Sequence, residues 1–543
     1  MKVVTAIAKA MKAEGVDILF AYPVNPLIEA AAAEDIRTVI VRQERVGLHM
    51  ADGYSRVTAG HKLGVFCMQH GPGAENAFGG VAQAYSESVP LLVIPAGYPR
   101  RLAHYYPNFN STLNMRHITK WAEPLTMGKA LPEVMRRAFF QLRNGRPGPV
   151  MIEVPLDVFG EDVPDDWVYV PSYRARTAPD PVDVERAAAV LAHAERPVIY
   201  AGQGVHYAEA WDALRDLAET WNIPVTTSIE GKSAFPEDHP LSLGSGGRAN
   251  PRAVKRFLAD ADVIFGIGCS FALTGFGVGM PRGKTIIHAT LDPMDLNKDV
   301  PAQYGLIGDA GLTLAALTTA MAGHDRAPAR ARADVPARIR VLREAWLSEW
   351  QGRLADAGTP INPYRVIAEL NCLVDKTRTT ITHDAGSPRD QLTPFWESTT
   401  PLTYIGWGKT TQLGYGLGLA MGAKLAKPDH LCINVWGDAA IGFTGMDLET
   451  AVRERIPILS ILFNNFSMAI EIPIMPVSQQ KYGATDISGH YADMARAFGG
   501  YGERITDPAE IVAALKRGIE ATERGQPALL EFITAKEITI SNE

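Results

Sequence analysis

Asp438 and Asn465 carry the chemistry most directly readable in this sequence. They stand in "INVWGDAAIGFTGMDLETAVRERIPILSILFNNFSMAIE", Ile433 to Glu471, a run that reads as strand, glycine-containing turn, helix, strand and turn. In a right-handed βαβ unit the two strands are parallel and their carboxyl ends share one edge of the sheet, so side chains distant in sequence can face one ion. A hard cation such as Mg²⁺ takes oxygen ligands at about 2.0–2.1 Å and usually binds one or two protein groups together with phosphate oxygens and water. Asp438 supplies charge, the Asn465 amide oxygen a neutral ligand, and the Ser467 carbonyl a third. Backbone N–H groups of Ala439 and Ala440, leading into a helix near Thr444, would point at the phosphates. The plain alternative is a strand–turn–helix with a capping Asp and a turn-forming Asn pair.

A second carboxylate, Glu44, falls just past a predicted strand and opens a helix in "VIVRQERVGLHMADGYSRVTAG". By itself it could simply complement a helix N-terminus. The elements that would position both groups form three alternating blocks. From Val3 to about Pro155, "VDILFAYP", "RTVIVRQ", "KLGVFCMQ", "PLLVIPAG" and "GPVMIEVP" read as buried strands with helical patterns between them. A linker-like "VPDDWVYVPSYRARTAPDP" precedes a second block with strands at "PVIYAG", "PVTTS", "DVIFGIG" and "KTIIHAT". After the boundary run "RAPARARADVPAR", a third block carries "TTITHDAG", "LCINVWGDAA", "PILSILFNN" and "PALLEFITA". Such alternation implies α/β architecture, with three doubly wound parallel-sheet domains in series at 1–165, 181–325 and 358–543.

"GDA" at 437–439 followed by "NN" at 464–465 resembles the GDG…NN diphosphate motif of the thiamine-diphosphate enzymes, with Ala439 where that pattern has Gly. "RQE…G.HMADGYSR" resembles the family's other half, and the chain as a whole resembles the acetolactate synthase-like group. The resemblance implies thiamine diphosphate and Mg²⁺ as cofactors, an aminopyrimidine-binding first domain, a Rossmann-like middle domain and a diphosphate-binding last domain. It implies that Glu44 hydrogen-bonds N1′ of the aminopyrimidine, favouring the tautomer whose 4′-nitrogen takes the C2 proton. Asp438, Asn465 and Ser467 would hold the metal, and Gly437, Ala439, Ala440, Met468 and Ala469 would line the diphosphate. "QHGPGAENAFGG" resembles the family's glycine-rich loop, adding Gly73 and Asn76, while Pro23 lies in "FAYPVNPLIEA". "DAGSPRD" brings Ala385, Gly386 and Ser387 to the diphosphate. In "GKTTQLGYGLGLAMGAK" the implied cofactor wedge is Leu413 and the Thr411 carbonyl the holder of the 4′-amine.

Asn25, Gln69 and His70 are the implied substrate-facing groups, with His70 equally readable as a satisfied structural histidine. Glu471, at the end of "NNFSMAIE", is the implied second acid/base. The paired histidines of pyruvate decarboxylases are missing near "NFNSTLN", which disfavours that activity. Expected chemistry is cleavage or formation of a C–C bond next to the carbonyl of a 2-oxo acid, as in acetolactate synthesis. Simple decarboxylation and 2-hydroxyacyl-CoA cleavage use the same core, and a non-catalytic thiamine-binding regulatory module is the alternative of another kind. The family's cofactor lies across a subunit interface, implying a homodimer or homotetramer. FAD in the middle domain stays open: Gly202 and Gly204 follow a strand, but Tyr207 replaces the third glycine of a dinucleotide fingerprint. "GKT" at 408–410 imitates the end of a P-loop, yet Thr403 stands where its first glycine belongs, which disfavours an NTPase.

Bulk properties fit an enzyme. At 543 residues, 46% apolar and 21% charged, the chain suits several globular domains. A net charge of −7 without a Lys/Arg stripe disfavours nucleic acid. The four separated cysteines, mostly in apolar surroundings, read as reduced core thiols. No run reaches the roughly 18 apolar residues of a membrane span, and no signal-peptide core is present, so a cytoplasmic location is expected.

Overall fold

The computed structural model describes residues 1–542 and contains three six-stranded sheets, with every strand pairing parallel. Helices in most of the crossovers between strands accompany the sheets, the doubly wound α/β arrangement expected from the alternating pattern. With strands counted in chain order within each sheet, the first and third sheets both run 2-1-3-4-6-5, whereas the middle sheet runs 6-5-4-1-2-3. Read from its other edge, the middle order is the Rossmann order 3-2-1-4-5-6.

Every strand predicted above is present, and five others join them: Trp121–Pro124, Ser242–Gly246, Tyr304–Ile307, Tyr404–Ile405 and Tyr501–Ile505. All five lie at sheet edges. An edge strand has one neighbour and lacks the uninterrupted apolar run of a central parallel strand. The run "RAPARARADVPAR" is helical, contributing the helix Ala327–Ala331 and the start of Val335–Leu354. Cys67, Cys269 and Cys432 are buried free thiols, but Cys372 is exposed, so the apolar reading does not extend to it.

The middle sheet has its own core, including Leu217, Trp221 and Phe265. The first and third domains each have one too and in addition share another, in which Val46, Leu48 and Met50 pack with Trp407, Leu417 and Ile441. At its centre the helix Glu44–Arg56 crosses the helix Tyr415–Ala426. A Cβ at Gly422 would lie 2.0 Å from the Met50 carbonyl oxygen, so only glycine permits this approach. Arg56 reinforces the crossing: it donates to both Asp52 oxygens at 2.9 Å, to the Gly406 carbonyl at 2.9 Å and to the Tyr415 hydroxyl at 3.0 Å. The guanidinium and Asp52 are buried, and a buried ion pair is tolerable only with its hydrogen bonds satisfied in this way.

Candidate active site

Strand register assembles the residues of the third domain. Gly437 pairs with Phe463 and His383 with Val435, so Asp384, Asp438 and Asn465 leave neighbouring strands at one carboxyl edge. Asp438 begins the helix Asp438–Thr444. Its Oδ1 accepts from Ala439 N at 2.9 Å, and its Oδ2 accepts from Asn465 N at 3.2 Å and Ser467 N at 3.1 Å. Phe466 makes the double contact possible by adopting a left-handed φ of 56°, a conformation that costs a non-glycine residue energy and here turns the amides on either side of it, Asn465 and Ser467, onto one carboxylate.

Burial pushes the Asp438 carboxyl above its ordinary value, and the amides of Ser467, Ala439 and Asn465 pull it back. It has no ion-pair partner among the described residues. The Asn465 Oδ1 accepts from Ser467 N at 3.0 Å, and a buried carboxylate without a cationic partner beside an amide oxygen offers the oxygen donors that suit a hard cation. No cluster of three His, Cys, Asp or Glu is present among the described residues, so the donor set differs from that of a zinc centre. Ala439 needs no glycine: it lies inside the helix and is absent from the residues with positive φ. Ala440 is buried beneath the same first turn.

Two further loops close around this edge. Gly386, with φ of 80°, precedes the helix Ser387–Phe395, and a Cβ there would stand 3.6 Å from Ile470 in the Asn465–Glu471 segment. Ala385 is buried and Ser387 half-buried. Asp384, which sequence reasoning passed over, organises the edge: its fully buried carboxylate accepts from Ala385 N at 2.8 Å, Gly414 N at 2.9 Å and Gly416 N at 3.0 Å. Burial nevertheless pushes it up to about 6. These bonds fix the loop of Thr411 and Leu413, and Thr444 Oγ1 donates to the Gly414 carbonyl at 2.8 Å, tying that loop to the Asp438 helix. Met468 N donates to the Thr485 carbonyl, Ala469 is buried and Glu471 is half-buried in the short helix Ala469–Glu471.

The first domain gathers its own set. Tyr22 pairs with Met68, so Pro23 and Gln69 emerge side by side. Glu44 is 4% exposed, and its Oε2 accepts from Asn76 Nδ2 at 3.2 Å. Burial raises its carboxyl above the ordinary value, opposed by its own backbone amide and by Asn76. Gly73 sits where a Cβ would lie 2.8 Å from Gln69 Cγ and 3.4 Å from Glu44 Oε1. His70 meets Tyr98 edge to face at 4.6 Å and has a buried, unpartnered Nδ1. Asn25 and Pro23 are exposed at the end of the first strand. No hydrogen bond or ion pair joins this set to Asp438, Asn465 or Ser467 among the described residues.

The middle sheet carries a cleft of about 350 Å³ where its strand order reverses, lined by Gly202, Gly268, Arg174, Arg176, Asp292 and Lys409 among others. Gly202 and Gly204 serve packing there, because a Cβ on either would collide with the backbone at Gly268. No helix is long and apolar enough to cross a membrane among the described residues.

Three parallel α/β domains, two of one strand order flanking a Rossmann-ordered third, make a fold of the thiamine-diphosphate type, with a carboxylate–amide cradle on the last. Family comparisons agree: residues 1–121 match the thiamine pyrophosphate enzyme N-terminal TPP-binding domain, 184–317 the central domain and 384–532 the C-terminal TPP-binding domain. The chain is 31% identical to a probable acetolactate synthase large subunit of Methanocaldococcus jannaschii, over 98% of this chain and 92% of that one. It is 27% identical to the acetolactate synthase isozyme 3 large subunit of Escherichia coli (strain K12), over 95% of this chain and 91% of that one. The chain belongs to the thiamine pyrophosphate enzymes, in their acetolactate synthase-like group.

Proposed function

We propose that this enzyme decarboxylates a 2-oxo acid and joins the retained fragment to a second carbonyl compound, using thiamine diphosphate and Mg²⁺. The observation that carries the reading is the pair of matched edges, a buried glutamate on the first sheet and a desolvated Asp–Asn–Ser cradle on the third. When bound, the cofactor supplies a cationic thiazolium that acts as an electron sink next to a carbonyl. Asp438, Asn465 and the Ser467 carbonyl would hold the metal. Gly437, the amides of Ala439 and Ala440, the 385–387 turn, Met468 and Ala469 would line the diphosphate.

Glu44 would share a proton with N1′ of the pyrimidine. Its burial favours that sharing, since a carboxyl with a raised pKa gives and takes a proton near neutrality more readily. Asn76 orients Glu44, while Gly73 and Pro23 leave room for the ring. The Thr411 carbonyl would hold the 4′-amine and Leu413 the cofactor's bent shape. Gln69, His70 and Asn25 would face the substrate, with Glu471 as a second acid/base.

We place the complete site between two copies of the chain. Tyr22, Phe78, Phe443, Met446, Phe466 and Ile470, close in sequence to the two sets, are exposed large apolar residues of the kind an interaction surface buries. A second copy would bury them while supplying the missing half-site. We take 1–165, 181–325 and 358–543 as the domain limits. The middle cleft has the size and mixed charge for a nucleotide, and a flavin held there would show as visible absorbance in the purified protein.

The test is reconstitution with thiamine diphosphate and Mg²⁺, a screen of 2-oxo acids for CO₂ release, and product analysis. Acetolactate or another acyloin supports the proposal. Free aldehyde alone would reassign the enzyme to simple decarboxylation, acyl-CoA cleavage would reassign it to a lyase, and cofactor binding without turnover would make it a regulatory module.

A further inference from the structure

The helix Pro72–Ser86 touches both domains that flank the middle one. Gly73 and Asn76, near its start, face Glu44. Its far end grips a segment of the third domain. Gln83 Nε2 donates to the Thr410 carbonyl at 3.0 Å, and Gln83 Oε1 accepts from Gln412 N at 3.1 Å. Ser86 Oγ meets Thr410 Oγ1 at 2.9 Å. Glu87, just past the helix, accepts on Oε1 from Gly408 N at 3.2 Å, Lys409 N at 2.9 Å and Gln83 Nε2 at 3.2 Å. Between the two ends, Gly79 leaves space for Gln412, whose Nε2 would stand 2.2 Å from a Cβ there.

Gln83 and Glu87 are 1% and 0% exposed. A buried carboxylate costs several kcal/mol unless something uses it, and Glu87 spends its charge on loop amides. Its Oε2 has no hydrogen-bond partner, so packing alone gives no reason for a carboxylate here. The segment it grips, 408–412, leads directly into Leu413.

We propose that Gln83 and Glu87 are positioning residues that hold the Gly408–Gln412 backbone in the shape that presents Thr411 and Leu413 to the cofactor. This rests on the roles given to Thr411 and Leu413 under the proposed function. Three domains meet at Glu87. Arg56, itself paired with Asp52, faces it from the first domain, Glu230 from the middle domain and Lys409 from the third, with Tyr207 and Tyr415 nearby. Burial and Glu230 push the Glu87 carboxyl up to about 7, against the pull of Lys409 and Arg56. Below that pH it takes up a proton and grips the two amides less strongly, so cofactor affinity should fall on the acid side.

The experiment titrates thiamine diphosphate, with saturating Mg²⁺, against the intrinsic fluorescence of the full-length protein and of Glu87→Ala, Gln83→Met and Glu87→Gln. Loss of hydrogen bonds to a charged acceptor predicts that Glu87→Ala raises the half-saturating concentration by about tenfold or more. Gln83→Met should raise it in the same direction, while KM for the 2-oxo acid at saturating cofactor stays within about twofold in both. Glu87→Gln keeps an acceptor without a titrating group, so its affinity relative to wild type should improve as pH falls through about 7. Cofactor binding equal to wild type in Gln83→Met, together with a wild-type pH profile in Glu87→Gln, would overturn the proposal even if Glu87→Ala fails to fold. A wild-type protein that binds no thiamine diphosphate would defeat the underlying functional reading, and this proposal with it.

Discussion

The first and third domains repeat one strand order, 2-1-3-4-6-5, yet their carboxyl edges handle a buried acid in opposite ways. On the first, Glu44 receives one side-chain donor, Asn76 Nδ2 at 3.2 Å. On the third, Asp438 receives three backbone amides, one from the first turn of its own helix and two from the Asn465–Ser467 loop. Burial raises both carboxyls, but three amides from neighbouring residues favour the ionised form that a cation would need, whereas Glu44, opposed only by its own amide and Asn76, is left better able to exchange a proton. One topology thus gives two buried acids different surroundings because the residues past the strand ends, and not the sheet, choose the hydrogen-bond donors. The middle sheet differs at a deeper level: its strand order moves the switch point and opens a cleft there.

The largest expected break in this comparison is Glu44→Gln. Removing the exchangeable proton should lower turnover by about 10²–10⁴-fold with cofactor binding retained, and steady-state CO₂ release beside a fluorescence titration measures both. Undiminished turnover would remove Glu44 from the chemistry. Asp438→Asn should act on binding instead. Its half-saturating Mg²⁺ should rise beyond the roughly 10–100-fold that follows loss of a supporting partner, and an unchanged metal dependence would place the ion elsewhere.

The joint between the two domains is the next target. Gly422→Val forces a side chain against the Met50 carbonyl and should cost about 1–3 kcal/mol, read from the urea midpoint. His49 bridges the same joint, its Nε2 3.0 Å from Gln412 Oε1, and burial holds its imidazole down at about 3. A depressed pKa contributes stability that is present above the ordinary value of 6.5 and lost as pH falls toward 3. Wild type should therefore lose stability between those limits, and His49→Asn should lose less over the same range. The smallest effect sharpens the third-domain half. Ala439→Gly should leave cofactor affinity unchanged and lower stability by about 0.5–1 kcal/mol, because residue 439 is helical. Tighter binding in that variant would show that the turn wants a glycine after all.

Much of this is legible in the sequence. Central parallel strands are buried on both faces, so "VFCM", "LLVIPAG" and "SILFN" announce themselves as apolar runs. Edge strands such as Trp121–Pro124 and Tyr501–Ile505 carry half-exposed residues and hide among loops. The Asp438–Asn465 pair was legible because βαβ geometry is nearly invariant in hand. Asp384, Gln83 and Glu87 were not, since their partners are backbone amides and carbonyls far along the chain, and backbone groups carry no sequence signature.

The sequence by itself determined three α/β blocks, the carboxylates at 44 and 438, and the family they belong to, because periodicity and turn chemistry are local. Only the tertiary structure decided that the outer sheets share an order the middle one lacks, that Ala439 is unstrained, and that Phe466 bears the unusual φ instead. Those outcomes depend on which strands become neighbours and how closely two helices cross, and such long-range packing has no single residue to announce it.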